Sequence, residues 1–190
     1  MMRDRVLPDQ IHNFAHNNEW LIRNLSHVGR VADALSLAKN MIELPRHPKY
    51  NHPGKKNSSC SYGRRRLIEL LVRFEMWDTL VALADGPHLP PSETKSEKIL
   101  TAASLGLAWQ QLNQFQAAAK EVAKLQGIRD ELKSKQEAAA KTADEKAIKE
   151  KKKPAEIKKL VNKAKNPFNG DLNAAASAIA ELNGWAALNE

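Results

Sequence analysis

Apolar residues recur at three- and four-residue intervals along almost the whole chain, and this period most constrains the fold. One such stripe runs from Ile11 to Val28, and a second runs from Val31 to Ile42, with Gly29 between them. Further stripes begin at Tyr62, Trp77, Ile99 and Phe115. Because a helix brings residues three and four apart onto one face, each stripe predicts an amphipathic helix. Alternating β-branched runs, which indicate strands, are nearly absent. The sequence therefore predicts an all-α chain.

The composition changes after about residue 127. Segments such as 136–141 consist of strong helix formers with few large apolar residues, which predicts a charged helix or linker. Proline can open a helix but breaks one when it lies inside, so a new helix is expected at Pro154 and a break at 166–170. The predicted organisation is a helical domain over 1–127, a charged segment over 128–153 and a terminal helical hairpin within 154–190.

Two basic segments account for the net charge of +8. Residues 46–66 carry seven lysines and arginines with no acidic residue, and residues 146–165 carry nine lysines against two glutamates. Such segments are typical either of solvated surface or of phosphate binding. Their positions alone leave both interpretations open.

No arrangement of residues points to catalysis or to a cofactor. Cys60 is the only cysteine, which excludes an internal disulfide and any C-x-x-C site. His12 and His16 have a spacing that can hold zinc, but the glutamate of H-E-x-x-H and an obvious third ligand are missing. Gly-rich phosphate loops and nucleophile elbows are also missing. We therefore expect a protein that is not an enzyme and binds neither a metal nor a cofactor.

The chain lacks the usual membrane signals. No apolar run approaches the roughly 18 residues that a membrane helix needs, and the first residues contain no apolar core of a secretory signal. We therefore expect a cytoplasmic protein without membrane contact.

The helical stripes also align with one another as three pairs. When Ala34, Leu80 and Ala118 are set equivalent, other small, large and aromatic residues come into step. Four residues later stand Ala38, Ala84 and Val122, and nine residues earlier stand Leu25, Leu71 and Trp109. Over residues 18–127 this pattern resembles three degenerate tetratricopeptide repeats, with irregular spacing and a bulky Leu80 where alanine is usual. A helical bundle without repeats is the alternative.

The resemblance implies an α–α superhelix that acts as a protein-interaction scaffold or adaptor. Such tracts often occur within large bacterial multidomain proteins. In this family the first helix of each repeat lines a concave surface that binds a peptide or a neighbouring domain. The family's carboxylate clamp of Lys, Asn and Arg is absent here. The candidate partner-binding residues on this surface are Arg23, Arg65, Arg66, Glu69 and Arg73.

The three arginines of the second repeat suggest an acidic peptide as the partner, because guanidinium groups bind carboxylates through two parallel hydrogen bonds. In the alternative interpretation they are solvated, or paired with Glu69 and Glu75. A second functional hypothesis is a nucleic-acid-associated protein that binds phosphates through residues 46–66 and 146–165. The sequence leaves the oligomeric state open.

Overall fold

The fold is described by a computed structural model that covers residues 12–46, 51–52 and 54–188. Within these ranges the chain forms seven helices and no β-strand, and this confirms the all-α prediction. The helices are α1 (His12–His27), α2 (Val31–Glu43), α3 (Ser59–Arg73), α4 (Trp77–Leu83), α5 (Lys95–Gln111), α6 (Phe115–Lys149) and α7 (Pro154–Leu188). Residues 45–61, whose prolines and glycine predict a loop between the second and third helices, lie partly outside the described residues, as does the start of the predicted 1–127 domain.

Four helices end in the same way. A residue with positive φ follows each of them, namely Gly29, Glu75, Asn113 and Lys151. In every case its amide donates to the carbonyl three residues earlier, and the next amide donates to the carbonyl five residues earlier. This pair of bonds caps the free carbonyls at a helix end and reverses the chain. Successive helices therefore form the tight antiparallel pairs α1–α2, α3–α4, α5–α6 and α6–α7.

The residues that were aligned as equivalent occupy similar places in the first three pairs. Ala34, Leu80 and Ala118 each lie five residues after the positive-φ residue, and all three are buried. The second helices begin without a side-chain cap, so burial of this position is what fixes their start against the first helices. The three residues that the alignment sets equivalent therefore lie at the same distance from the turn in the second helix of each pair.

The pairs stack in chain order. Helix α1 packs on α2 and α3, α3 packs on α4 and α5, and α5 packs on α6 and α7. One core joins α1–α4 to one face of α5 through Leu105 and Ala108. A second core joins α6 and α7 to another face of α5 through Ile99 and Ala102. Helix α5 is therefore apolar around most of its circumference, because both cores use it.

Buried polar contacts fix the position of α5 against α3. Arg64 Nη2 donates to Glu97 Oε2 at 2.6 Å, and Ser61 Oγ donates to Glu97 Oε1 at 2.5 Å. The sequence Thr94-x-x-Glu97 predicts a capping box, and the Thr94 half of it forms, since Thr94 Oγ1 accepts from the Glu97 amide. The prediction of the reciprocal contact, in which the Glu97 carboxylate accepts from the Thr94 amide, is wrong. The Glu97 carboxylate binds α3 because a buried guanidinium stabilises it more than an amide does.

Helix α7 corrects the expectation of a terminal hairpin. It begins at Pro154 as predicted, but it then runs unbroken for 35 residues with Pro167 inside it. An internal proline costs a helix about 3 kcal/mol. Packing offsets this cost, because Phe168 and Leu172 join the second core and Gln136 Nε2 on α6 donates to both Lys165 O and Asn169 Oδ1. Neighbouring helices thus override the local break signal.

The outer half of the α6–α7 pair extends past the start of α5. Lys95, the first residue of α5, forms an ion pair with Glu131 on α6. Hydrogen bonds from Lys135 and from Lys95 lower the pKa of Glu131 to about 2. Beyond this point α6 continues to Lys149, a further length of about 25 Å, and α7 returns alongside it. We call residues 133–166 the arm. The charged segment therefore pairs with α7 instead of standing alone.

The shared turn geometry predicts opposite effects of two substitutions. Gly29→Ala places a Cβ on a residue at φ 79° and should lower the free energy of unfolding by about 1 kcal/mol. Glu75→Gly removes a Cβ at φ 52° and should raise it by about 0.5 kcal/mol. Urea unfolding followed by circular dichroism measures both. If both substitutions raised the free energy of unfolding, or both lowered it, the two helix ends would not share one turn geometry.

The close contact between α2 and α3 gives a second prediction. A Cβ on Gly63 would lie 2.7 Å from the Ala38 carbonyl oxygen, whereas a Cβ on Gly127 in α6 would meet nothing within 4 Å. Gly63→Ala should therefore lower the free energy of unfolding by about 1–3 kcal/mol. Gly127→Ala is the matched control and should raise it by about 1 kcal/mol through helix propensity alone. A stabilising Gly63→Ala would show that α2 and α3 are not this close.

Candidate functional site

Four of the five predicted partner-binding residues line one cleft between α1 and α3. Arg23 comes from α1, and Arg66, Glu69 and Arg73 come from α3. The cleft has a volume of about 210 Å³, and its other lining residues are Ile22, Ser26, His27 and Leu70. We call it the α1–α3 cleft. The two helices run parallel here, because the contacts Glu19–Arg66 and Ser26–Arg73 both join residues 47 positions apart.

Arg66 closes one end of the cleft by binding two carboxylates. One Nη pairs with Glu19 on α1 and the other pairs with Glu69 one turn along α3. Glu19 is only 5% exposed, so protein groups replace water around its carboxylate, and Arg66 is one of them. Arg66 therefore joins α1 to α3, and its charge is satisfied within the protein. This arrangement matches the alternative in which an arginine of the second repeat pairs with Glu69.

Arg23 and Arg73 differ from Arg66 because neither forms an ion pair with any carboxylate of the described residues. Arg73 Nη1 donates to Ser26 Oγ at 3.3 Å, and its guanidinium lies 5.8 Å from the centre of the Phe74 ring. Arg23 is exposed on the opposite wall. Among the described residues, the cleft thus presents two guanidinium groups without an ion-pair partner, one from each helix, beyond the ion pairs of Arg66.

Arg65 lies on a different side of α3. Its guanidinium is 4.9 Å from the centre of the Tyr62 ring, and it lines the narrow crevice towards α5 with Ile68 and Leu89. Neighbouring helical residues point about 100° apart, so Arg65 and Arg66 do not share one surface. The structure therefore does not bring Arg65 to the α1–α3 cleft.

Sequence reasoning missed that Glu19 is the partner of Arg66. The signal was present, because aligning the first two helix pairs places Glu19 opposite Arg65 and one residue from Arg66. Stacked repeats bring equivalent positions of successive first helices close together. An acid and a base at such positions indicate an ion pair between the first two helix pairs. Ser26, buried and bonded to Arg73, follows from the same alignment.

Two arginines of the basic segment 46–66 form ion pairs within the fold. Arg64 is 5% exposed and bound to Glu97, and Arg66 is bound to Glu19 and Glu69. Lys49 lies outside the described residues, while Arg46 and Lys56 are exposed. Arg64 and Arg66 therefore use their charges to hold α3 against α5 and α1. The other basic segment, 146–165, forms the end of the arm.

Among residues 12–46, 51–52 and 54–188 no group of three His, Cys, Asp or Glu side chains is arranged to hold a metal ion. In the same part of the chain no helix has the length and apolar character required to span a membrane. No protein-family model, curated protein or solved structure matches this sequence.

Arg66 pairs with one buried carboxylate and one exposed carboxylate, so removing each should cost a different amount of stability. Glu19→Gln removes the buried carboxylate and should lower the free energy of unfolding by about 2 kcal/mol. Glu69→Gln is the matched control, because Glu69 is 43% exposed, and should cost less than about 1 kcal/mol. Urea unfolding at one pH compares them. If Glu69→Gln cost as much as Glu19→Gln, Glu19 would not be the carboxylate that holds α1 to α3.

Proposed function

We propose that this protein is a non-catalytic interaction adaptor whose α1–α3 cleft binds an acidic peptide or an acidic segment of a neighbouring domain. The observation that carries the proposal is the pair of guanidinium groups of Arg23 and Arg73, which line the cleft from two helices and have no ion-pair partner in the part of the chain that the structure describes. Each can donate two parallel hydrogen bonds to a carboxylate. The resemblance to tetratricopeptide repeats supports the same kind of role.

The size of the cleft favours a side chain or a chain terminus over a whole metabolite. Its volume of about 210 Å³ is smaller than the roughly 300–1,000 Å³ of small-molecule pockets. A carboxylate at the end of an Asp or Glu side chain fits this space while the peptide backbone stays outside. Arg66 joins α1 to α3 at one end of the cleft, so the two helices that carry Arg23 and Arg73 are held in a fixed register before a ligand binds.

An aromatic side chain extends the proposed surface along α1. Trp20 lies one turn before Arg23 and is 53% exposed, and its ring packs 4.7 Å from that of His16. Tryptophan and arginine are the residue types that contribute most to binding at protein interfaces. An acidic peptide with an apolar residue next to its carboxylate would contact Arg23 and Trp20 together. We therefore expect the partner to combine acidic and apolar residues.

Selection from a random library of 12-residue peptides, with the full chain as bait, tests the proposal. Wild-type protein should enrich peptides that contain Asp or Glu beside an apolar residue. Arg23→Gln/Arg73→Gln should bind the best such peptide at least tenfold more weakly in fluorescence anisotropy, since each charged hydrogen bond contributes about 1.5–3 kcal/mol.

Arg30→Gln/Arg129→Gln is the matched control. It removes an exposed arginine, Arg30, and a half-buried one, Arg129, both outside the cleft and already paired with Asp33 and Asp130, so it should leave peptide affinity within about twofold. Enrichment without acidic residues, or equal losses in the cleft variant and the control, would reject the proposal.

A further inference from the structure

The arm concentrates positive charge that the rest of the fold does not use. Residues 133–166 carry twelve lysines against five acidic residues. Within the described part of the chain only two of these lysines form ion pairs, Lys135 with Glu131 and Lys152 with Glu150. The second of these pairs spans 3.7 Å between exposed side chains, so it neutralises little. Ten lysines of the arm thus have no carboxylate partner among the described residues.

Both helices of the arm direct lysines to the same place. Near the turn, α6 and α7 border a groove of about 510 Å³, which we call the arm groove. Lys146 lines it from α6, Lys152 from the turn, and Lys159 and Lys163 from α7. Ala143, Ala147 and Leu160 form its apolar floor, and Glu150 and Glu156 are its acidic residues. The groove therefore has a net charge of +2 and a shape set by the pairing of two helices.

The residue types of the arm favour phosphates over a lipid bilayer. Residues 133–166 contain no Trp, Tyr or Phe, which are the usual anchors of interfacial helices. The exposed large apolar residues of the arm are Ile148 and Leu160, too few for a membrane-inserting face. Every cation of the arm is lysine, a compact point charge that binds phosphate oxygens without the fork that reads guanine edges.

We propose that the arm binds the phosphate backbone of a nucleic-acid duplex, independently of base sequence, through Lys146, Lys152, Lys159 and Lys163 of the arm groove. The arm is about 25 Å long, which matches about seven base pairs at 3.4 Å each. Counterion release then supplies the affinity. Four phosphate contacts give a log–log salt slope of about −3.6 on duplex DNA. This site is separate from the α1–α3 cleft and does not depend on its function.

Fluorescence anisotropy with the full chain and two 20-base-pair DNA duplexes of unrelated sequence tests the proposal. Both duplexes should bind with the same affinity, and binding should weaken about a hundredfold between 50 and 200 mM salt. The variant Lys146→Gln/Lys152→Gln/Lys159→Gln/Lys163→Gln should bind at least tenfold more weakly at 50 mM, with a salt slope smaller in magnitude by about 3.6. Changing the same four lysines to arginine should preserve binding.

The matched control is Lys39→Gln/Lys56→Gln/Lys98→Gln/Lys120→Gln, which removes the same charge outside the arm and should change affinity less than threefold. Circular dichroism and thermal unfolding establish that every variant remains folded. The proposal fails if wild-type protein does not bind at 50 mM salt, or if both glutamine variants lose affinity equally. The same variants are also tested with vesicles containing 30% phosphatidylserine. The proposal fails if the arm variant loses affinity for these vesicles but keeps its affinity for both DNA duplexes.

Discussion

Helix α5 is the element on which the rest of the structure depends, because both hydrophobic cores use it. Ile99 and Ala102 face α6 and α7, whereas Leu105 and Ala108 face the first helices. Such a helix has no broad polar face, so it is stable only when neighbours cover it on several sides. The stack on one side of α5 and the long α6–α7 pair on the other are therefore coupled through one helix.

Polar contacts determine how the helices dock, while the apolar cores supply most of the stabilisation. Arg66 with Glu19 fixes α1 against α3, and Arg64 with Glu97 fixes α3 against α5. Buried ion pairs contribute little net stability, but a misaligned partner would leave a buried charge unpaired. They therefore favour one register over its neighbours. The same register brings Arg23 and Arg73 to opposite walls of one cleft.

The sequence predicted the parts of the fold that local periodicity controls. The helical stripes, the turn at Gly29 and the start of α7 at Pro154 follow from spacing and backbone chemistry. The break expected near Pro167 was wrong, because contacts from distant residues such as Gln136 outweigh a local signal. Four of the five candidate binding residues share a cleft, but Arg65 does not, since a periodic pattern cannot resolve two adjacent positions.

The α6–α7 pair carries the arm away from the helical stack, so the arm and the α1–α3 cleft are separate surfaces. A distance between spin labels at Lys98→Cys and Lys149→Cys, measured by pulsed electron resonance, tests this most directly. The label-to-label distance should show one narrow distribution centred at about 30 Å, because α6 continues as one helix past Glu131. A distance below about 20 Å, or a broad distribution, would contradict an extended arm.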